Sequence, residues 1–362
     1  MHHLKWLIIF VLFFFNIFSS YSQRPKVELA GTEVIRFTSA IDSHQYVLYI
    51  NLPDNYAKAN KKYPVLYVTD GQWFFASMYV GYGGQHYDGL VPDLITVGIT
   101  WPDNFDANRR RDFTPNKMEG MPGSGNAPKF LAVIKNEIIK IIDSTYRVQE
   151  NDKALYGTSL GGLFALYTLF HEPTLFNRYI IISPSLDWDN ELLFKYEKSF
   201  AAKNKTLNAK IFISSGEYEE ASSSTSTFKK FVDQVKASKY KGLELESMVV
   251  NRMGHSGSGT VGGIIGLQSI YSKPVVKLAN SVLDQYAGHY LFGNDTLSVS
   301  RSGSDLYGQS GFGKSKLLAE TAETFYIKGV NASLQFKKDS KQKVSGYDLM
   351  LSDTTLFFKK LD

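Results

Sequence analysis

Buried strands that alternate with helices between about residues 63 and 272 constrain the fold more than any other feature of the chain. Short strands that are apolar along most of their length are buried on both faces, as in parallel sheets. Their alternation with helices predicts an α/β fold, a mostly parallel sheet flanked by helices. The predicted strands are YPVLYVTDG, DLITVGIT, KALYGTS, RYIIISPS, KIFISSG and LELESMVV, and the helices include KFLAVIKNEIIKIIDSTY and LGGLFALYTLFH.

The sequence patterns before and after this region are different. EVIRFTSA and QYVLYINLP precede it and predict an antiparallel hairpin. Beyond Tyr286 the chain shows short alternating runs separated by Gly, Asn, Asp and Ser turns, which predict a small antiparallel β domain, either a barrel or a sandwich. We therefore expect an α/β catalytic domain at 23–273, a linker at 274–284 and a small all-β domain at 285–362.

The first residues are typical of a cleaved secretory signal peptide, 1–22. Lys5 precedes an apolar run from Trp6 to Phe15, which is shorter than the roughly 20 residues of a spanning helix, and a serine-rich stretch ends at Ser22. The alternative interpretation of this segment is an uncleaved membrane anchor. The chain has no cysteine, which excludes a lipidated cut site, disulfides and thiol catalysis. We expect an exported protein, periplasmic or secreted, with no stable membrane span after cleavage.

Composition is that of an ordinary globular protein. Of the 362 residues, 43% are hydrophobic and 21% are charged, and the net charge is +5. The basic clusters are short and form no sustained stripe, so we expect no nucleic-acid partner. Composition does not fix the oligomeric state.

The segment YGTSLGG contains Gly-x-Ser-x-Gly, with Ser159 at its centre. A strand-like run precedes it and a helical run follows it, which is the setting of a nucleophile elbow. Gly157 and Gly161 leave room for the strand and the helix to approach the tight turn. We interpret Ser159 as a nucleophile and not as a chance turn.

A serine nucleophile needs a base, and in α/β-hydrolases the residues follow in the order Ser, acid, His. His255, in the loop MGHSGSG after the last predicted strand of the sheet, is the one histidine of seven that suits this order. A solvent-exposed loop histidine is the alternative reading. The other six lie in the signal segment, ahead of the serine, near the end of the helix after it, or in the β domain: His2, His3, His44, His86, His171 and His289.

The acid is expected in FISSGEYEE, at the end of a buried strand. Glu219 is preferred, and Glu217 and Glu220 are alternatives. Asp187 and Asp189, one strand earlier, are further candidates. Each of these carboxylates could instead be a solvated loop charge.

An oxyanion hole needs two N–H donors. The backbone N–H of Leu160 is one candidate. Gln72, in the loop TDGQWFF, is the second, and Trp73 is its fallback. Trp73, Trp101 and Trp188 follow strand ends and could form an aromatic substrate pocket or simply pack.

These motifs together resemble the putative esterase family, which includes enterochelin-type siderophore esterases, esterase D-like enzymes and feruloyl or acetyl-xylan esterases. The resemblance implies an α/β-hydrolase fold and ester hydrolysis through a Ser–His–acid triad containing Ser159 and His255, with an acid that varies within the family. The C-terminal β domain resembles small β domains appended to other exported bacterial hydrolases. The matching stretches are PVLYVTDGQWFF, VGITWPDNFDANRRRDFTP, FLAVIKNEIIKIIDSTYRV, LYGTSLGGLFALYTL, SPSLDW, ISSGEYEE and GHSGSG.

The sequence as a whole predicts an exported serine carboxylester hydrolase that needs no metal and no cofactor. There are two alternatives. One is an acyltransferase with the same triad, and the other is a catalytically inactive protein with a hydrolase fold that only binds a ligand. The substrate is open between a siderophore ester and an acyl or feruloyl ester of a carbohydrate. Arg111, within the cluster Arg109–Arg111, is a candidate contact for an anionic substrate, or it pairs with Asp112 as scaffold.

Overall fold

The computed structural model describes residues 27–222, 224–311, 313–351 and 354–361. The expected signal peptide, 1–22, lies outside the described residues. All elements named below belong to one compact unit, Thr32–Asp362. Within the described ranges, no helix has both the length and the apolar character that crossing a bilayer requires.

An eight-stranded mixed sheet forms the first part of this unit. Its strands are β1 (Thr32–Thr38), β2 (Gln45–Asn51), β3 (Tyr63–Val68), β4 (Ile95–Thr100), β5 (Val148–Thr158), β6 (Arg178–Ile182), β7 (Thr206–Gly216) and β8 (Lys241–Val250). Their order is β1-β2-β4-β3-β5-β6-β7-β8. The predicted hairpin, β1 and β2, is antiparallel, and β2 pairs antiparallel with β4. All pairs from β4 to β8 are parallel, so the carboxyl ends of these strands lie at one edge.

Helices cover the sheet, and two separate hydrophobic clusters lie among them and the strands. The helices are α1 (Gly71–Tyr87), α2 (Phe105–Phe113), α3 (Ala127–Val133), a π-helical stretch (Ile134–Ile138), α4 (Ile139–Thr145), α5 (Leu160–His171), α6 (Trp188–Lys203), a 3-10 turn (Glu217–Ser222), α7 (Ser224–Ala237) and α8 (His255–Ile270). Residues 161–170 of α5 are all buried, as expected of a helix that is apolar on every side. The predicted α/β-hydrolase fold is confirmed.

Helix α1 was not apparent from the sequence. Its second half, YVGYGGQHY, is rich in glycine, which disfavours helix by about 1 kcal/mol per residue relative to alanine. Contact with α8 stabilises it instead: Gln85 Nε2 donates a hydrogen bond of 2.8 Å to the Ile264 carbonyl. At Gly81 a β-carbon would lie only 2.6 Å from Ile264 Cγ1, so the small residue permits the two helices to approach.

The C-terminal part of the chain is a closed barrel of eight antiparallel strands, so the barrel is the correct one of the two predicted β architectures. A short helix, α9 (Asn280–Tyr286), precedes it within and beyond the expected linker, 274–284. Leu283 and Tyr286 of α9 pack into the barrel core, so part of that segment is structural. The strands are β9 (Gly288–Phe292), β10 (Asp295–Ser302), β11 (Asp305–Ser310), β12 (Gly313–Ala319), β13 (Thr324–Tyr326), β14 (Ala332–Lys338), β15 (Val344–Leu351) and β16 (Thr355–Lys360).

Candidate active site

Ser159 occupies a strained turn between β5 and α5. Its φ of 57° and ψ of −118° lie in a region that non-glycine residues rarely adopt, at a cost of about 1–3 kcal/mol. Backbone hydrogen bonds hold the turn: the Ser159 N–H donates to the Ile182 carbonyl at 3.0 Å, and its own carbonyl accepts from Leu163 and Ser185. Such strain is characteristic of functional positions and agrees with the predicted nucleophile elbow.

Both glycines of the motif are required by close backbone packing. A β-carbon at Gly157 would collide with the Gly161 carbonyl, one turn ahead. A β-carbon at Gly161 would lie 2.6 Å from Thr69 Oγ1. The second contact brings the start of α5 against the end of β3, where the predicted oxyanion loop begins.

His255 begins α8 and pairs with Glu219 in the 3-10 turn after β7. His255 Nδ1 lies 2.8 Å from Glu219 Oε2. The histidine side chain is 51% exposed, whereas that of the glutamate is 6% exposed. The ring is therefore oriented by a buried carboxylate and accessible on its other side.

A network of donors fixes the second oxygen of this carboxylate. Glu219 Oε1 accepts hydrogen bonds of 2.6 Å from both Ser183 Oγ and the Gly216 N–H. Ser258 Oγ lies 2.9 Å from Ser183 Oγ and donates to the His255 carbonyl at 2.9 Å. Ser183, at the end of β6, was not identified from the sequence; its one signal there was its position just past a strand end.

The pKa values of Glu219 and His255 are shifted in the directions that a triad acid and base require. Burial raises the pKa of Glu219, but the hydrogen bonds from His255, Ser183 and Gly216 outweigh burial and hold its pKa below the ordinary value. The hydrogen bond to Glu219 raises the pKa of His255, against the opposing effects of burial and of the Arg109 charge. The carboxylate thus stays ionised and stabilises a protonated imidazole.

The other candidate acids have different surroundings. Glu217 is exposed and accepts a 2.6 Å hydrogen bond from the Arg252 N–H. The side chain of Glu220 lies outside the described residues. Asp187 is exposed, and its charge raises the pKa of His255. Asp189 Oδ2 accepts a hydrogen bond from Asn116.

The predicted oxyanion donors lie in the first turns of two helices. Leu160 opens α5, and Gln72 is the second residue of α1, which the sequence suggested to be a loop. The first N–H groups of a helix have no partner within it. The Trp73 N–H donates to the Asp70 carbonyl at 2.9 Å, which leaves Gln72 as the better candidate of the two.

A buried ion pair stabilises the segment between β3 and α1, where the predicted donor Gln72 lies. Asp70, fully buried with a left-handed φ of 54°, accepts hydrogen bonds of 2.8 and 3.0 Å from Arg109 Nε and Nη2. Burial raises the pKa of Asp70, although Arg109 and Gln72 oppose that effect. Arg109 also lies over the ring of Trp73, 5.1 Å from its centroid. The sequence placed Arg109 in a basic cluster but did not indicate its partner.

The predicted substrate contacts differ in exposure. Of the three tryptophans that follow strand ends, Trp73 is 48% exposed, whereas Trp101 and Trp188 are buried and donate to Asp112 and Asn116 respectively. Both Arg111 Nε and Nη2 lie 2.7 Å from the oxygens of Asp112. This is the scaffold pairing that the sequence left open, and a substrate contact by Arg111 or Trp188 stays a prediction.

The geometry lacks one element of a complete triad, a hydrogen bond between the nucleophile and the base. Within the described ranges, the Ser159 hydroxyl makes no hydrogen bond to His255. In free enzymes such bonds are often long and tighten when substrate binds. The same ranges contain no group of three or more carboxylate or imidazole side chains suited to a metal ion.

Comparison with known proteins shows which family the chain belongs to. The chain is 29% identical to the ferri-bacillibactin esterase BesA of Bacillus subtilis over 209 residues, 53% of this chain and 72% of BesA. It is 31% identical to the siderophore triacetylfusarinine C esterase of Aspergillus fumigatus over 169 residues, 43% of this chain and 57% of that one.

The fold has close counterparts among solved structures. The crystal structure of the BES protein from Bacillus cereus superposes with a TM-score of 0.61 at 23% identity, covering 70% of this chain and 99% of the other. Residues 39–256 match the family described as "Putative esterase". Because that match covers more than half of the chain, the protein belongs to this family and is a carboxylic ester hydrolase.

Proposed function

We propose that the protein hydrolyses siderophore esters through a triad of Ser159, His255 and Glu219 and an acyl-enzyme intermediate. The observation that carries the proposal is the buried Glu219 carboxylate 2.8 Å from His255 Nδ1, at the sheet edge where the strained Ser159 also lies. A carboxylate on Nδ1 holds the imidazole with Nε2 free to accept a proton.

In the proposed reaction, Ser159 Oγ attacks the ester carbonyl and its proton passes to His255 Nε2. Glu219 stabilises the resulting imidazolium, and the N–H groups of Leu160 and Gln72 bind the oxyanion. Collapse of the tetrahedral intermediate releases the alcohol, which takes the proton from His255. Water then attacks the acyl-enzyme, His255 accepts a proton from it, and Ser159 leaves with that proton restored.

Two observations support a siderophore ester as substrate. The relatives named above include a ferri-bacillibactin esterase and a siderophore triacetylfusarinine C esterase. In this chain, Arg109 and the half-exposed Trp73 stack together, and the Arg109 charge acts on His255. Asp70 already pairs with the Arg109 charge, so it is the exposed ring of Trp73 that suits the aromatic part of a ligand such as a ferric catecholate.

A hydrolysis screen tests the substrate proposal. Ferric cyclic trilactone siderophores, feruloyl sugars, acetylated xylan and short p-nitrophenyl esters are compared by kcat/KM, with Ser159→Ala as the blank. We expect the ferric trilactone to be preferred. Preference for the feruloyl or acetylated carbohydrate would contradict the siderophore proposal while leaving the esterase intact. Product analysis with and without an added alcohol acceptor separates hydrolysis from acyl transfer.

We also propose that the protein is exported, on the basis of the basic, apolar and serine-rich residues 1–22. The test is the N-terminal sequence of the protein recovered from the periplasm or medium of a bacterial host. A mature chain that starts at Gln23 supports the proposal, and an intact chain retained in the cytoplasm contradicts it.

A further inference from the structure

We propose that the β barrel is a binding domain for a neutral, elongated apolar molecule of the acyl-chain type, separate from the ester site. The barrel encloses a cavity of about 990 Å³. Eight strands give a barrel whose interior is either filled by side chains or able to hold one small ligand. Pockets for small molecules measure about 300–1,000 Å³, so this cavity has room for a whole ligand.

One end of the barrel is plugged by aromatic rings. Tyr286 of α9 stacks on Phe336 with ring centroids 4.2 Å apart, and Phe336 packs against Phe325 and Tyr347, each at 5.5 Å. All four rings are buried. The cavity is therefore a blind pocket, which suits a small molecule better than a peptide strand or a through-going chain.

The pocket opens at the opposite end of the same strands. Strands β14 and β15 pair Phe336 with Tyr347 at the plug and Ala332 with Leu351 at the mouth. Between these levels Leu334 is buried and its partner Leu349 is partly buried, whereas Leu351 at the mouth is 41% exposed. Val330, also at the mouth, is 47% exposed. An apolar ligand would cover this surface, and its burial would contribute about 25 cal/mol per Å².

The lining also indicates the charge of the ligand. Among the described residues that line the cavity there is no lysine or arginine, and Asp295 is the one ionisable carboxylate. Asp295 is exposed at the mouth, and Ser315, which pairs with the inward-facing Gly308, adds a hydroxyl to the lining. A negatively charged head group would meet a carboxylate and, among the described lining residues, no cation. The pocket therefore favours a neutral chain with a hydroxyl or similar polar end.

This pocket is distant from the ester site. Asn331, beside the mouth residue Val330, donates a 3.1 Å hydrogen bond to the His86 carbonyl at the last turn of α1. Helix α1 begins at Gly71, and His86 lies 14 residues beyond the predicted oxyanion donor Gln72, so about 21 Å of helix separates the two regions at 1.5 Å per residue. Ligand binding in the barrel is thus measurable apart from catalysis.

The test is a fluorescence titration of the full chain with the neutral probe N-phenylnaphthylamine, after Ser159 has been blocked with a fluorophosphonate. Gly308→Leu fills the pocket, because a β-carbon at Gly308 points at the Leu317 side chain from 3.6 Å. Ser300→Leu places the same side chain outside the barrel, because Ser300 is exposed and neighbours the inward Val299 on β10. Circular dichroism checks that both variants fold, and Leu334→Trp replaces Gly308→Leu if the latter does not.

We expect saturable binding of one probe per chain, displaced by dodecanol more readily than by laurate. Filling the pocket is expected to weaken binding by about tenfold or more, equivalent to roughly 1.4 kcal/mol, while Ser300→Leu leaves it unchanged. The absence of saturable binding by the wild type, or equal weakening by the two leucine variants, would overturn the proposal. Displacement by laurate as readily as by dodecanol would overturn the preference for a neutral ligand.

Discussion

His255 Nδ1 lies 2.8 Å from Glu219 Oε2, and this contact joins the end of β8 to the end of β7. The carboxylate is buried and the imidazole is half-exposed, so one partner is fixed and the other faces solvent. The contact distinguishes Glu219 from its neighbours in the sequence GEYEE, and it is the basis of most of the predictions that follow.

The first prediction concerns the identity of the acid. Glu219→Gln keeps the size of the side chain but removes the charge that stabilises protonated His255, so kcat is expected to fall by about 10³–10⁴. Glu217→Gln is the matched control, because Glu217 contacts only the exposed Arg252 N–H in the described structure. Steady-state hydrolysis of a p-nitrophenyl ester measures both. Equal losses in the two variants would remove Glu219 from its proposed role.

The second prediction concerns pH. The free enzyme requires neutral His255, whose pKa Glu219 raises above the ordinary value of 6.5, so kcat/KM is expected to fall on acidification with a midpoint above 6.5. Glu219→Gln removes the largest raising interaction, so the midpoint of its residual activity moves to lower pH. An unchanged midpoint in this variant would show that another group titrates.

The third prediction concerns Ser183 as a positioning residue for the carboxylate. Ser183→Ala removes the 2.6 Å hydrogen bond to Glu219 Oε1 and is expected to cost about 1–3 kcal/mol in stability, because a buried carboxylate loses a donor. It also raises the pKa of Glu219, since that hydrogen bond lowers it. We expect kcat to fall and KM to be unchanged.

Ser214→Ala provides the control for that experiment. Ser214 is as buried as Ser183, and its hydroxyl has no hydrogen-bond partner in the described part of the chain. Its removal is expected to be nearly neutral. If urea denaturation and steady-state kinetics give the same result for both alanine variants, Ser183 has no special role.

The fourth prediction concerns the buried ion pair below the oxyanion loop. Arg109→Ala leaves Asp70 buried without its cation and is expected to destabilise the fold by about 3 kcal/mol or more near neutral pH. Loss of the cation raises the pKa of Asp70 further, so the destabilisation shrinks as the pH falls and the carboxyl becomes neutral. Arg110→Ala is the control, since Arg110 forms none of the ion pairs found in the described residues. Equal unfolding midpoints for the two variants would contradict this account.

The sequence predicted the parts of the site that local pattern determines. Ser159 follows from strand, glycine motif and helix in succession, and His255 follows from the order of residues in the fold. Glu219 could be preferred but not separated from Glu217, because two positions in a short turn differ only in which way the side chain points. That direction depends on Ser183 and Gly216, which lie elsewhere in the sheet.

Other features depend on tertiary contact and have no local signal. Helix α1 contains several glycines and is stabilised by α8, so its helical propensity gives no indication of it. Asp70 and Arg109 are 39 positions apart in the sequence, and nothing near either residue indicates the pairing. Alternating runs predicted the β strands of the C-terminal domain, but closure into a barrel depends on the pairing of β9 with β10 and β16.

Labelling with a fluorophosphonate tests the central claim most directly. The wild type, Ser159→Ala and Ser185→Ala are treated with the probe, and the modified peptide is identified by mass spectrometry. Ser185 is the serine control beside the turn, because its N–H donates to the Ser159 carbonyl from the segment after β6. We predict stoichiometric labelling on Ser159 in the wild type and in Ser185→Ala, with none in Ser159→Ala. A wild-type protein that does not label, or that labels on a residue other than Ser159, would contradict the proposal that this hydrolase acts through Ser159.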